Sequence, residues 1–139
     1  MTLCGVSSLD VMDETFFAAP PARVAAALAK PARWRAWWPD LALRLHDDRG
    51  PAGLRWQVTA GVTGTMEVWL EPVLDGTVLH YFLHAQVPDG SAAELLGAAR
   101  RRRPAAKSMA FELKAEMDAG RPAGEPPLAR ADRVGHRLR

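Results

Sequence analysis

The sequence predicts an α+β fold: an antiparallel sheet of about five strands, one long C-terminal helix, and two short helices after the first strand. Three observations carry that reading. From Leu41 to Leu83 apolar residues recur at every second position between turn-rich breaks, the period of half-buried strands. Ala106, Met109, Ala110, Leu113 and Met117 then form one face at the helical period. Between the first strand and the sheet, prolines bound two segments of helical spacing, each too short to be a rod.

The first strand is read over Leu9–Ala18, where β-formers alternate imperfectly. Pro20-Pro21 opens the first short helix, with Val24, Ala27 and Leu28 as its apolar stripe, and Pro31 ends it. The second carries Trp34, Trp37 and Trp38 at the same spacing and stops at Pro39. Leu41, Leu43 and Leu45 then alternate with polar neighbours, DDRGPAG (47–53) turns the chain, and Leu54, Trp56 and Val58 repeat the alternation. Gly61 and Gly64 bracket a further turn. The C-terminal helix runs to a stop at Gly120, and Pro104 either starts it or kinks it. The domain is placed at 9–120, followed by a flexible basic tail at 121–139 rich in Pro, Gly and Arg.

The last two strands contain the residues that look most like chemistry, TMEVWLEPVLDGTVLHYFLHA (65–85). Asp75-Gly76 is a strong two-residue turn signal. With that loop, Met66, Val68 and Leu70 share a face with Tyr81, Leu83 and Ala85, and Glu67, Trp69 and Glu71 share the other with His80, Phe82 and His84. Glu71 then opposes His80 and Glu67 opposes His84. Such pairs are either a general acid/base site or the solvated face of a hairpin, and the apolar composition of the opposite face favours the hairpin.

Composition narrows the functional classes. The 139 residues are 48% hydrophobic and 24% charged, which suits a single globular domain. The net charge of +2 resides in the tail, where five arginines meet two carboxylates, so the body gives no electrostatic case for nucleic acid. No stretch is long and apolar enough for a membrane span, and no signal peptide opens the chain, so the cytoplasm is the expected compartment. Cys4 is the only cysteine. No phosphate-cradling glycine loop, metal-spaced cluster or Ser-His-Asp signature occurs, so neither a cofactor nor a metal is called for. His80 and His84 lie four residues apart on a strand, too far to chelate one ion.

Taken in order, ETFFAAPPARVAAALAKPARWRAWWPD (14–40), GLRWQV, GTMEVWLEP (64–72) with DGTVLHYFL (75–83), and KSMAFELKAEMDAGRPAG (107–124) resemble the START-like (SRPBCC) superfamily. Within it they resemble the actinobacterial proteins of the polyketide cyclase/dehydrase and lipid-transport type. The resemblance implies a helix-grip fold, in which a curved sheet wraps the C-terminal helix and leaves room for an apolar ligand between them. It supplies no catalytic motif. Only two strands fit between the short helices and the last hairpin, fewer than such folds usually have. That implies a narrower sheet, a smaller or more open cavity, and an edge that a second subunit of a homodimer would cover.

Sheet parity and the helix stripe then name the candidates for ligand contact: Leu43, Trp56, Met66, Val68, Tyr81, Leu83, Met109, Leu113 and Met117, with Trp38 at the mouth. The same residues would equally make a filled core. Tyr81, on an apolar face, needs a partner for its hydroxyl. Trp37-Trp38-Pro39 is either a lid or an anchor with one tryptophan half exposed. Arg100–Arg103 reads as a solvated charge run. The leading expectation is a binding protein for a hydrophobic or aromatic small molecule, lipid or polyketide-like. The rivals are a polyketide cyclase/dehydratase-like enzyme using Tyr81, His80 or Glu71, and a non-catalytic interaction or assembly module.

Overall fold

The first strand, β1 (Val6–Phe17), pairs along its whole length with the last, β5 (Gly76–Pro88), and this long-range pairing organises the sheet. The computed structural model describes residues 6–88 and 91–119. Between the two strands lie α1 (Pro21–Leu28), α2 (Pro31–Trp37), β2 (Ala42–Asp48), a 3₁₀ turn at Gly50–Ala52, β3 (Gly53–Ala60) and β4 (Thr63–Val73). The helix α3 (Ala92–Met117) follows. All neighbours are antiparallel, in the order β1-β5-β4-β3-β2.

Helix α3 is one continuous element. Ser91 caps it and closes a capping box with Glu94, which satisfies free N-terminal donors, and Pro104 lies inside the helix on its exposed side. Ala106, Met109, Ala110, Leu113 and Met117 are all buried, as their spacing predicts. The helix packs mainly on β1 and is fastened there by polar contacts as well. Lys107 pairs with Asp13 at 2.7 Å, Lys114 Nζ donates to the Phe16 carbonyl at 2.7 Å, and the Ala18 N–H donates to Asp118 Oδ1 at 2.7 Å. Beside it, α1 packs on β4, β5 and the 3₁₀ turn, and Arg33 of α2 pairs with Glu112 and Glu116 of α3.

Three local readings change. The β4–β5 loop is Leu74-Asp75, with Val73 opposite Gly76, rather than Asp75-Gly76. Gly76 is already in the strand and is needed for a different reason. A Cβ there would strike the end of β1, 2.5 Å from the Phe16 ring. The register shifts by two residues, so both faces survive and only the partners change. Gly64 lies within β4 opposite Ala85, not at the turn. The alternation of Leu41, Leu43 and Leu45 fades along β2, where Leu45 is 40% exposed, because two irregularities in the β2–β3 ladder turn this edge strand. Among the described residues, no helix is long and apolar enough to cross a membrane. Gly120, Cys4 and the tail at 121–139 lie outside the described residues.

Candidate functional site

The Trp34–Leu43 segment builds the site. Pro31 starts α2, and four residues apart Trp34 and Trp38 come to one side of it. Trp34 Nε1 donates to the Leu28 carbonyl at 2.6 Å, tying α2 to the end of α1. Trp38 leaves the helical conformation, and the Leu41 N–H returns to its carbonyl at 3.2 Å, which turns the chain into β2. The two indoles meet Trp56 of β3 edge-on, at 5.2 Å and 5.6 Å between ring centroids. Tyr81 stacks on Trp38 at 6.2 Å.

Outside this aromatic wall lies a cleft of about 330 Å³, lined by Pro31, Trp34, Arg35, Trp38, Leu41 and Leu43. Small-molecule clefts run from about 300 to 1,000 Å³, so this one suits a single ring system or a short chain better than a large polycycle. It lies between α2 and β2, where α3 no longer covers the sheet. Of the ligand-contact candidates, Trp38 and Leu43 line it. The others, Trp56, Met66, Val68, Tyr81, Leu83, Met109, Leu113 and Met117, lie together in the core, none more than 2% exposed. Trp34, Pro31, Arg35 and Leu41 were not singled out for the site. Their helix and turn positions carry no ligand signal until α2 is set against β2.

Both members of the Trp37-Trp38 pair are buried, and the half-buried tryptophan is Trp34, which the anchor reading had not selected. Around Trp38 several polar donors go unmatched. Among the described residues, Trp37 Nε1, Trp38 Nε1, Trp56 Nε1 and Arg102 Nη1 are buried and find no acceptor in the protein. An unpaired buried donor costs about 1–3 kcal/mol, so four in one neighbourhood is unusual. Arg102 is a correction. It belongs to the Arg100–Arg103 run, yet it is 5% exposed and pairs through Nη2 with Asp40, just after the tryptophans. The sequence held the signal, since Arg102 stands four residues from both Ala98 and Ala106 on the buried stripe.

The acid–base candidates do not converge. Tyr81 points inward, where its hydroxyl donates only to Met66 Sδ at 3.1 Å, and burial raises its pKa well above the usual phenol range. His80 and Glu71 are on the opposite face. His80 Nε2 lies 2.9 Å from Glu71 and Nδ1 lies 3.1 Å from Glu14, so neither ring nitrogen is free to meet a substrate. His80 is also sandwiched by stacking on Trp69 at 4.5 Å. The expected Glu67–His84 pair does not form. His84 pairs with Asp10, its cross-strand partner in β1, while Glu67 takes Arg49 and Arg55 of the β2–β3 side. The register shift and the β1–β5 pairing, both invisible within the hairpin, redirect these contacts. No group of three metal-ligating side chains occurs among the described residues.

This architecture, a five-stranded antiparallel sheet wrapped on a long C-terminal helix with two short helices after the first strand, is a helix-grip fold. No protein-family model matches the chain, and no curated protein does. Solved structures do. The Aha1 dimer from Colwellia psychrerythraea superposes with a TM-score of 0.58 at 13% identity, covering 82% of this chain and 99% of that one. The Zhui aromatase/cyclase from Streptomyces sp. R1128 gives 0.55 at 17% identity, over 86% of this chain and 100% of its own. The polyketide-cyclase-like protein Cgl2372 from Corynebacterium glutamicum gives 0.53 at 17%, over 86% and 99%. At these identities the likeness is one of fold.

Proposed function

We propose that the protein binds a hydrophobic or aromatic small molecule, and that it does so in the cleft between α2 and β2. The observation that carries this reading is the cleft's wall. Trp34 and Trp38 offer flat apolar surface on one side, and Leu41 and Leu43 offer half-buried aliphatic surface on the other. Rigid rings make good contact at low entropic cost, and the aromatic stack behind them holds Trp34 and Trp38 in place. The space between the sheet and α3, where the resemblance puts a ligand, is occupied by the packed side chains of Trp56, Met66, Tyr81, Met109 and Leu113. Zhui is an aromatase/cyclase by name. In this chain the acid–base candidates are split between the two faces of the sheet, which supports binding over turnover.

The reading is tested with N-phenyl-1-naphthylamine, a neutral apolar dye whose fluorescence rises on leaving water. We expect saturable binding of one dye per chain in the micromolar range and its loss in Leu43→Arg, which places a charge in the cleft lining. Leu43 is only half buried, so a melting curve will show that the variant is folded. Dye binding that never saturates, or that is unchanged in Leu43→Arg, removes the cleft from consideration.

A further inference from the structure

The two arginines of α2 have unequal surroundings. Arg33 faces α3 and is fully engaged, with ion pairs to Glu112 at 3.5 Å and Glu116 at 2.5 Å and a bond to the Ala27 carbonyl. Arg35 faces the cleft instead, and among the described residues no carboxylate pairs with it. The acid nearest in sequence, Asp40, is held by Arg102. The cleft is therefore apolar along its walls and carries one uncompensated positive charge at its rim.

An apolar body with one anionic oxygen head matches all of these features at once. The walls take the body, and Arg35 takes the head. Resting on the cleft reading above, we propose that the natural ligand is an apolar carboxylic acid and that Arg35 is the residue that selects its carboxylate. A guanidinium presents paired N–H donors in a plane that fits the two oxygens of a carboxylate. One ligand charge also balances one protein charge, which a doubly charged phosphate would exceed.

The test compares 2-naphthoic acid with 2-naphthamide, the neutral molecule of the same shape, by calorimetric titration at low and high salt. At low salt the acid binds roughly fivefold more tightly, the scale of a partly exposed charge pair, and the preference shrinks in molar salt. In Arg35→Gln the ratio of the two affinities falls to about one. Equal binding of acid and amide by the unmodified protein overturns the carboxylate inference and leaves the cleft reading intact. A preference that survives Arg35→Gln also overturns it, since another cation would then hold the head. If neither probe binds, the cleft reading falls and the inference with it.

Discussion

The outer face of the β4–β5 hairpin and the packed interior around Trp38 on the other side of the sheet treat polar groups in opposite ways. On the outer face every charged group finds a partner: His80 between Glu14 and Glu71, His84 with Asp10, Glu67 with Arg49. On the inner side, at the Trp38 end, donors are buried and left without acceptors. The outer cluster has the residue types of an acid/base site, and in the fold it is closed on itself. Function is better sought where polar capacity is unspent. A satisfied network stabilises a particular sheet register, whereas an unpaired charge at the rim of an apolar cleft is available to a ligand.

The inner face gives the largest predicted effect. Leu113 of α3 is fully buried against the sheet, with no partner for a charge. Leu113→Asp is expected to unfold the domain, since it removes buried apolar surface and inserts a carboxylate, at a cost above about 4 kcal/mol. Circular dichroism and amide dispersion in NMR would report the loss. A folded variant would mean that the inner face tolerates charge as the outer one does, and the contrast between the faces would fail.

Tyr81 sharpens the same contrast at smaller cost. Burial holds its phenol pKa above the ordinary value near 10, with the nearby Arg102 charge opposing that shift. The unfolded chain ionises this phenol from about pH 10 upward, while the folded chain keeps it neutral. The stabilisation is therefore whole below pH 10 and is lost as pH rises above it, by about 1.4 kcal/mol per unit. Tyr81→Phe should change stability little at pH 8, because the hydroxyl donates only to the Met66 thioether, a weak acceptor. Between pH 10 and 11.5 the variant should lose stability less steeply than the unmodified protein in urea melts. Parallel curves would mean that the hydroxyl already reaches water.

Much of the fold was legible because it rests on periods. A shift of register by two keeps a strand's faces, so Met66, Val68, Tyr81 and Leu83 were read as inward even though the loop lies one residue earlier than expected. The stripe from Ala106 to Met117 needed only the helical repeat. What was not legible depends on contacts between distant segments. Gly76 reads as a turn residue until β1 is seen to cross it. Arg102 is hidden in a run of four identical residues, and only its phase against Ala98 and Ala106 distinguishes it. Two members of the cleft, Trp38 and Leu43, were anticipated. Arg35, Pro31 and Leu41 join it because α3 ends its cover of the sheet before β2, and no local pattern states that.

The smallest effect tests the outer face. If the His80 cluster is structural, its energies should be those of cross-strand pairs, about 0.2–1 kcal/mol each. Glu14 is largely exposed, which further weakens its hold on His80. A double-mutant cycle with Glu14→Gln and His80→Gln, read from urea melts at neutral pH, should give a coupling within that range. Dye binding in the cleft should be unaffected by either change, because the two residues lie across the sheet from it. A coupling above about 2 kcal/mol would place His80 in a strongly desolvated pair. A loss of binding would instead mean that the two faces communicate through the sheet. Either result would move the search for function back to the outer face. A weak coupling with intact binding leaves the tryptophan-walled cleft, with Arg35 at its rim, as the place where this protein meets its ligand.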